Sequence, residues 1–395
     1  MVDKPAILGG AAAFEKTYPI IRPSANEAAT PVLQERMAKV LESNMLSNVG
    51  IYVREFEEAL EERLAVAHAI AMSSCTSGLI LTMQALGLRG KRALIPSFTF
   101  NATGLATYWT GNRIRYADID DTFTLALKSL RAATNKVDFV VPVHMYGNPC
   151  HIAEIQDWAE EEKIPIVVDA AHALGSSYQG APVGSFGTAE VFSLSPTKLI
   201  TTGEGGVVTT NDDDLDKKLR ILRNYGNLPD YTCPVPGLNA RMSEINAVLG
   251  LELLQHLERY VTSRERYVNR YKSTLSHVSG IEYQRIPEGH HSSHKDFSVV
   301  INPREFGLDR DQLEKALAKE RIVTKKYFYP PMHRLEAFRS KAPVKLPVTE
   351  RVSSRILSLP IHNVMDEPDI DRVAERIGLI QEYADQVRQR LARES

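Results

Sequence analysis

The chain lacks the features that would mark it as secreted, membrane-spanning or nucleic-acid-binding. Its three cysteines, Cys75, Cys150 and Cys233, are too few and too scattered for a disulfide framework. No window approaches the roughly 18 uninterrupted apolar residues of a membrane span, and no basic segment precedes an apolar core at the N-terminus. A cytoplasmic location is the expectation. Charge of one sign is missing too: 47 basic against 49 acidic residues leave a formal net charge of −2, which gives no case for nucleic acid or anionic membrane as a partner. There is no internal repeat, low-complexity tract or flexible linker. What remains is an ordinary globular composition in 395 residues, more than one hydrophobic core usually supports, so two domains are expected.

Apolar spacing places the elements. Glu27 to Ser43 and Tyr52 to Leu64 each carry one helical stripe, the first through Val32, Leu33, Met37, Val40 and Leu41. From Ala69 short apolar runs alternate with helical stretches: Arg92 to Ile95, Val137 to Val143 and Ile164 to Val168. That alternation predicts an α/β architecture, a mainly parallel sheet with helices on both faces. Ligands collect at the C-terminal strand ends of such sheets, where His144, Asp169 and Ser193 fall. Ser243 to about Tyr271 reads as one long connecting helix. After it come a strand at Asp296 to Ile301, a helix at Arg310 to Glu320 and a last helix at Ile370 to Leu391.

Two residues in this frame carry chemistry. Asp169 ends the buried run from Ile164, and Lys198 sits between Ser193-Leu-Ser-Pro-Thr and the cluster Gly203-Glu-Gly-Gly206. A lysine amine can form a Schiff base with an aldehyde, and an acid can keep a pyridine nitrogen protonated so that the ring withdraws electrons. Together they are the equipment for pyridoxal 5′-phosphate (PLP). Each alone also reads as something plainer, a solvated surface charge or a helix cap. Gly203-Glu-Gly-Gly206 lacks the spacing of a dinucleotide fingerprint.

The surrounding stretches resemble the sugar aminotransferases of the DegT/DnrJ/EryC1/StrS family. They are Ser74-Cys-Thr-Ser-Gly-Leu79, Pro96-Ser-Phe-Thr-Phe-Asn-Ala-Thr103, Val141-Pro-Val-His-Met-Tyr-Gly147, Val168-Asp-Ala-Ala-His-Ala-Leu-Gly175, Phe192 to Gly206, Gly237-Leu-Asn-Ala-Arg-Met242, Tyr329-Pro-Pro-Met-His333 and Leu359-Pro-Ile-His362. The likeness runs from about Asn48 to the C-terminal helix. It implies the PLP-dependent transferase fold type I of the aspartate aminotransferase group: a large PLP-binding α/β domain over 1–255, with an N-terminal helical segment, and a linking helix with a smaller C-terminal α/β domain over 256–395.

The resemblance also assigns roles. Lys198 becomes the cofactor lysine and Asp169 the partner of the ring nitrogen, while His172 packs near the ring's other face or its phenolic oxygen. Cys75, Thr76 and Ser77 open a helix whose amides face the phosphate, with Ser193 as a second hydroxyl donor; Thr76 and Ser77 read equally as an ordinary helix start. Cys75 stands where many family members have glycine. Phe100 takes the position of the aromatic that stacks on the pyridine. Asn239 reaches the phosphate of the neighbouring subunit, which implies a homodimer with shared sites; the plainer reading is an asparagine serving its own helix. Arg241, Lys325, Lys326, Tyr327, Tyr329 and His333 are candidates for the substrate rim.

The implied reaction moves an amino group from an amino acid, L-glutamate by family habit, to a nucleotide-linked 3- or 4-keto deoxysugar. Alternatives are a keto-cyclitol or other small ring ketone as acceptor, and a catalytically silent PLP-binding homologue. The related sugar dehydratases replace the lysine with histidine, so Lys198 argues against that chemistry. His290-His291-Ser-Ser-His294 invites a zinc reading, but no cysteine or carboxylate completes a ligand set, and no metal is expected.

Overall fold

The computed structural model describes residues 4–339 and 343–394. Its backbone is built around a sheet in two hydrogen-bonded sets. One set has the order His68–Met72, Gly206–Thr210, Ala189–Ser193, Val167–Asp169; the other has the order Arg113–Ala117, Arg92–Pro96, Phe139–Val140. Parallel bridges from Val140 to Ile166 and from Val143 to Asp169 join the two sets. Every neighbouring pair is parallel except those made by Gly206–Thr210, which runs against both its neighbours. The mainly parallel α/β sheet expected from the sequence is therefore present, with one reversed strand.

Strand alternation makes the sheet two-faced. Ala69, Ala71 and Val207 pack into a helical layer with Phe56, Leu60, Val248 and Tyr260, while Ile70, Met72 and Val208 point the other way, toward Leu79, Met83 and Leu219. Helix starts are set locally. Ser74 and Ser77 form a reciprocal capping box at the head of the helix Cys75–Ala85, and Thr30 accepts from the Leu33 amide ahead of the helix Pro31–Ser43. Gly50 has no side chain to cap Ile51–Leu64, and the Glu244 carboxylate accepts from the Tyr52 amide at 2.8 Å instead.

A separate core fills the C-terminal region. The antiparallel strands Ile281–Tyr283, Phe297–Ile301 and Ile356–Leu359 pack with the helices Arg310–Lys319 and Glu367–Glu382. Ile7, Phe14 and Tyr18 belong to this core, so the N-terminal segment, placed with the large domain by a division at residue 255, packs its first apolar residues against the small one. No helix among the described residues is long and apolar enough to cross a membrane.

Three elements differ from expectation. The connecting helix is two, Glu244–Leu254 and Leu257–Thr274, broken at Gln255 and His256. Leu257, Tyr260 and Val261 pack with the large core and Tyr267, Val268 and Tyr271 with the small one, so the second helix bridges both cores. The last helix is likewise two, Glu367–Glu382 and Ala384–Glu394, divided at Tyr383. The first helix begins at Pro31, whose fixed φ suits a first helical turn, and the expected start at Glu27 falls in a separate short 3-10 turn, Ala25–Ala28.

Candidate active site

Asp169 closes its strand at the C-terminal end of the sheet and is 4% exposed. Burial pushes its carboxyl above the usual carboxylate range. Two donors pull the other way: the Thr103 hydroxyl reaches Oδ2 at 2.6 Å and the Ala171 amide reaches Oδ1 at 3.1 Å. Lys198 and His144 add positive potential. A hydrogen bond to a charged group contributes about 1.5–3 kcal/mol, so the two donors are of the size needed to keep a buried carboxylate poised for a cationic partner.

Lys198 follows the turn after Ala189–Ser193, its amide bonded to Ser195 O at 3.0 Å, with the Thr202 amide closing back onto Leu194 O at 2.9 Å. It lines a small cavity with His172, Ser193 and Lys295. Burial, then the charge of Lys295, pulls its ammonium down to about 8, against the opposing pull of Asp296, Cys75 and Asp169. His172 accepts from the Tyr146 amide at Nδ1, 3.2 Å away, so the neutral ring carries its proton on Nε2. Burial, with Lys198 and Lys295 as neighbouring cations, holds its pKa far below the ordinary value. Tyr146 and Phe328 lie parallel to the ring at centroid distances of 6.4 and 6.2 Å.

The helix start beside this cavity is locked to the lysine loop. Ser193 pairs with Gly206 in the sheet, and a β-carbon on Gly206 would collide with the Cys75 nitrogen and the Ser74 carbonyl carbon. Cys75 is buried, its thiol 3.6 Å from Val191 O and its pKa raised by burial, so it fills space while its backbone stays at the helix head. The Ser77 hydroxyl donates to Ser74 O at 2.8 Å, so the helix-start reading of this segment holds, and the same box leaves the first amides of the helix free of backbone partners. Phe100 is 54% exposed at the N-terminus of the helix Asn101–Trp109, its ring 5.8 Å from Phe328.

The donor set fits PLP. It offers an amine for an aldehyde, a buried acid for the ring nitrogen, an exposed aromatic face and a helix N-terminus for a dianion. Asn239 is exposed, and its side-chain amide makes no hydrogen bond among the described residues. It does not cap its own helix, whose N-cap is Ser243.

The rim candidates do not assemble as one surface. His333 is 5% exposed, with Nδ1 2.6 Å from Ser97 Oγ and Nε2 3.2 Å from Glu350, so both of its ring nitrogens have partners within the chain. Lys326 is held by Asp311 and Glu314. Arg241 turns onto Asn224 and stacks 5.1 Å from Tyr225, leaving a buried Nε without a partner. Tyr329 is 52% exposed over Arg310, Tyr327 lies beneath Lys295, and Lys325 is exposed beside the strand Ile356–Leu359.

The histidine triplet diverges as well: His290 meets Pro149 O and Tyr178, while His291 faces Glu265. Among the described residues no group of three His, Cys, Asp or Glu could hold a metal ion.

Two residues of the site had no assigned role in the sequence. Thr103 lies inside a quoted motif, and its place one helical turn after the exposed Phe100 was the available signal. Lys295 is 4% exposed, with its ammonium 2.8 and 3.0 Å from the two oxygens of Asp296. The charged pair Lys295-Asp296 entering an apolar strand was the clue.

Residues 29–378 match the profile of the DegT/DnrJ/EryC1/StrS aminotransferase family. The chain is 33% identical over 349 residues to the GDP-perosamine synthase of Caulobacter vibrioides, covering 86% of this chain and 93% of that protein. It is 30% identical over 367 residues to the dTDP-4-amino-4,6-dideoxy-D-glucose transaminase of Escherichia coli, covering 91% and 98%. The crystal structure of DesI in the presence of its TDP-sugar product superposes with a TM-score of 0.90 at 36% identity, covering the whole of both chains.

Proposed function

The chain belongs to the DegT/DnrJ/EryC1/StrS family and is a PLP-dependent sugar aminotransferase; we propose that its reaction runs on Lys198, Asp169 and His172 and takes a nucleotide-linked keto sugar as acceptor. The observation that carries the residue assignment is that the loop after Ala189–Ser193 brings Lys198, lowered to about 8, within electrostatic reach of the buried, doubly hydrogen-bonded Asp169, which ends the neighbouring strand. When bound, PLP supplies the aldehyde for the amine and a ring that draws electrons from the reacting carbon.

The remaining work belongs to the chain. Asp169 holds the proton of the ring nitrogen, with Thr103 and the Ala171 amide keeping the carboxylate charged. Lys198 Nζ, neutral in a good fraction of molecules near its pKa, takes the proton from the donor carbon that carries the amine. In the reverse half it gives a proton to the sugar carbon that receives the amine. His172, neutral with Nε2–H, offers one donor from a ring set beside Tyr146 and Phe328 and held at Nδ1 by the Tyr146 amide. The amides at the head of Cys75–Ala85, with Thr76, Ser77 and Ser193, hold the phosphate, and Phe100 covers the ring.

The exposed Asn239 and the exposed Phe100 support a homodimer in which the Asn239 amide completes the phosphate site of the partner. L-Glutamate is the proposed donor. The nucleotide-sugar names of the relatives support the acceptor class.

The test is an absorbance titration of the purified, PLP-loaded protein. L-Glutamate is expected to bleach the visible band of the lysine-bound cofactor, and a keto-sugar nucleotide to restore it. A band that no amino acid bleaches would sink the transamination assignment.

A further inference from the structure

Arg264, on the helix Leu257–Thr274, is 1% exposed, yet its hydrogen bonds go to neutral acceptors. Nε donates to Asn363 Oδ1 at 2.8 Å, and Nη1 donates to His294 O at 3.1 Å and Lys295 O at 2.7 Å. Asn363, 7% exposed, spends its whole side chain here. Oδ1 accepts from Arg264, and Nδ2 donates to Leu199 O at 2.9 Å and to Ser24 Oγ at 2.9 Å.

A buried guanidinium costs several kcal/mol in desolvation, and an apolar side chain would fill the same volume without that cost. What an apolar side chain lacks is direction. The planar fork grips Lys295 through its carbonyl and, by way of Asn363, grips Leu199, the residue after Lys198. Lys295 and Lys198 line the same cavity from different domains. Lys198 lies in a loop outside the strands, where each carbonyl tie removes one freedom of swing.

We propose that Asn363, oriented by Arg264, is a positioning residue for Lys198: it fixes the Leu199 carbonyl and thereby the arc through which the lysine amine moves. The proposal rests on Lys198 being the cofactor lysine. Neither Asn363 nor Arg264 touches the reacting atoms.

The test uses the PLP-loaded dimer. Borohydride reduction and peptide mass mapping first locate the cofactor; a label on another lysine would overturn the site assignment itself. Asn363→Asp keeps an acceptor for Arg264 but sets an oxygen against the Leu199 carbonyl. It is expected to retain full PLP stoichiometry, to shift the pH midpoint of the visible band and to lower kcat on the order of 10- to 100-fold with little change in KM.

Lys295, Asp296, Cys75 and Asp169 face Lys198 in that pH titration, and Asn363→Asp adds a carboxylate beside Arg264, so the uncharged Asn363→Leu is measured alongside it and must show the same loss of kcat for the positioning role to stand. Ser24→Ala leaves the bond to Leu199 and is expected to behave as wild type. A folded Asn363→Asp protein labelled at Lys198, with an unshifted midpoint and wild-type kcat, overturns the positioning role alone. Where Asn363→Asp does not fold, Arg264→Lys, which keeps the charge and loses the fork, decides by the same readouts.

Discussion

The Thr103 hydroxyl donates to Oδ2 of Asp169 across 2.6 Å, so a helix residue governs the charge of a strand-end carboxyl 66 positions later. Burial drives that carboxyl toward protonation, and a protonated acid would no longer favour a cationic ring nitrogen. Thr103→Val keeps the shape and removes the donor. PLP affinity of the apoprotein is expected to fall by about tenfold or more, given roughly 1.5–3 kcal/mol for a hydrogen bond to a charge. Titration of the apoprotein with PLP measures it, and an unchanged affinity would remove Thr103 from the site.

Lys198→Ala is expected to abolish both the visible absorbance of the PLP-loaded protein and its turnover. Retention of turnover would transfer the role to another amine, of which Lys295 is the one already lining the cavity.

The pH dependence of cofactor capture follows from the depressed lysine. An amine reacts in its neutral form, which predominates above its pKa, so capture of PLP by the apoprotein should accelerate with rising pH and level off above about 8. A rate still climbing as the pH nears 10.5 would mean that Lys198 behaves as an ordinary exposed lysine.

Subunit mixing addresses Asn239. Asn239→Ala dimers should melt like wild type but hold PLP weakly, because the side chain makes no hydrogen bond in its own chain among the described residues. Co-refolding Asn239→Ala with Lys198→Ala subunits should recover about a quarter of wild-type activity, since half of the dimers are mixed and each has one intact site. No recovery in confirmed mixed dimers would exclude action across the interface.

His333→Ala separates a structural tie from a substrate contact. Losing partners at Ser97 and Glu350 should lower stability by about 1–3 kcal/mol, read by denaturant unfolding, with KM for the sugar unchanged. A raised KM at unaltered stability would restore His333 to the rim.

Local signals carried most of the fold. The strand ending at Asp169, the Ser74 box and the two-faced strand at Ala69 to Met72 rest on neighbours in sequence, where alternation and capping chemistry speak directly. The breaks at Gln255 and Tyr383 contain neither proline nor glycine. Each break has the same core on both sides, Leu254 and Leu257 in the large one and Ile380 and Ala384 in the small one, so apolar spacing runs on across it and does not mark the interruption. Likewise Lys295 enters the cavity from the bend just before the strand Phe297–Ile301, which pairs only within the small domain, and His333 is buried by Ser97, 236 residues away. Contacts between distant segments decided which charged residues were chemistry and which were mortar.

Gly206 begins the one strand that runs against the sheet, with its bare α-carbon pressed on the head of the helix at Cys75. The head of the helix Cys75–Ala85 and the strand leading from the lysine loop are therefore one casting, and a methyl group added at that point would wedge them apart at once. Adaptation to new sugars has no purchase there. A change in the sugar accepted is therefore expected from substitutions at exposed positions such as Tyr329 and not from this contact.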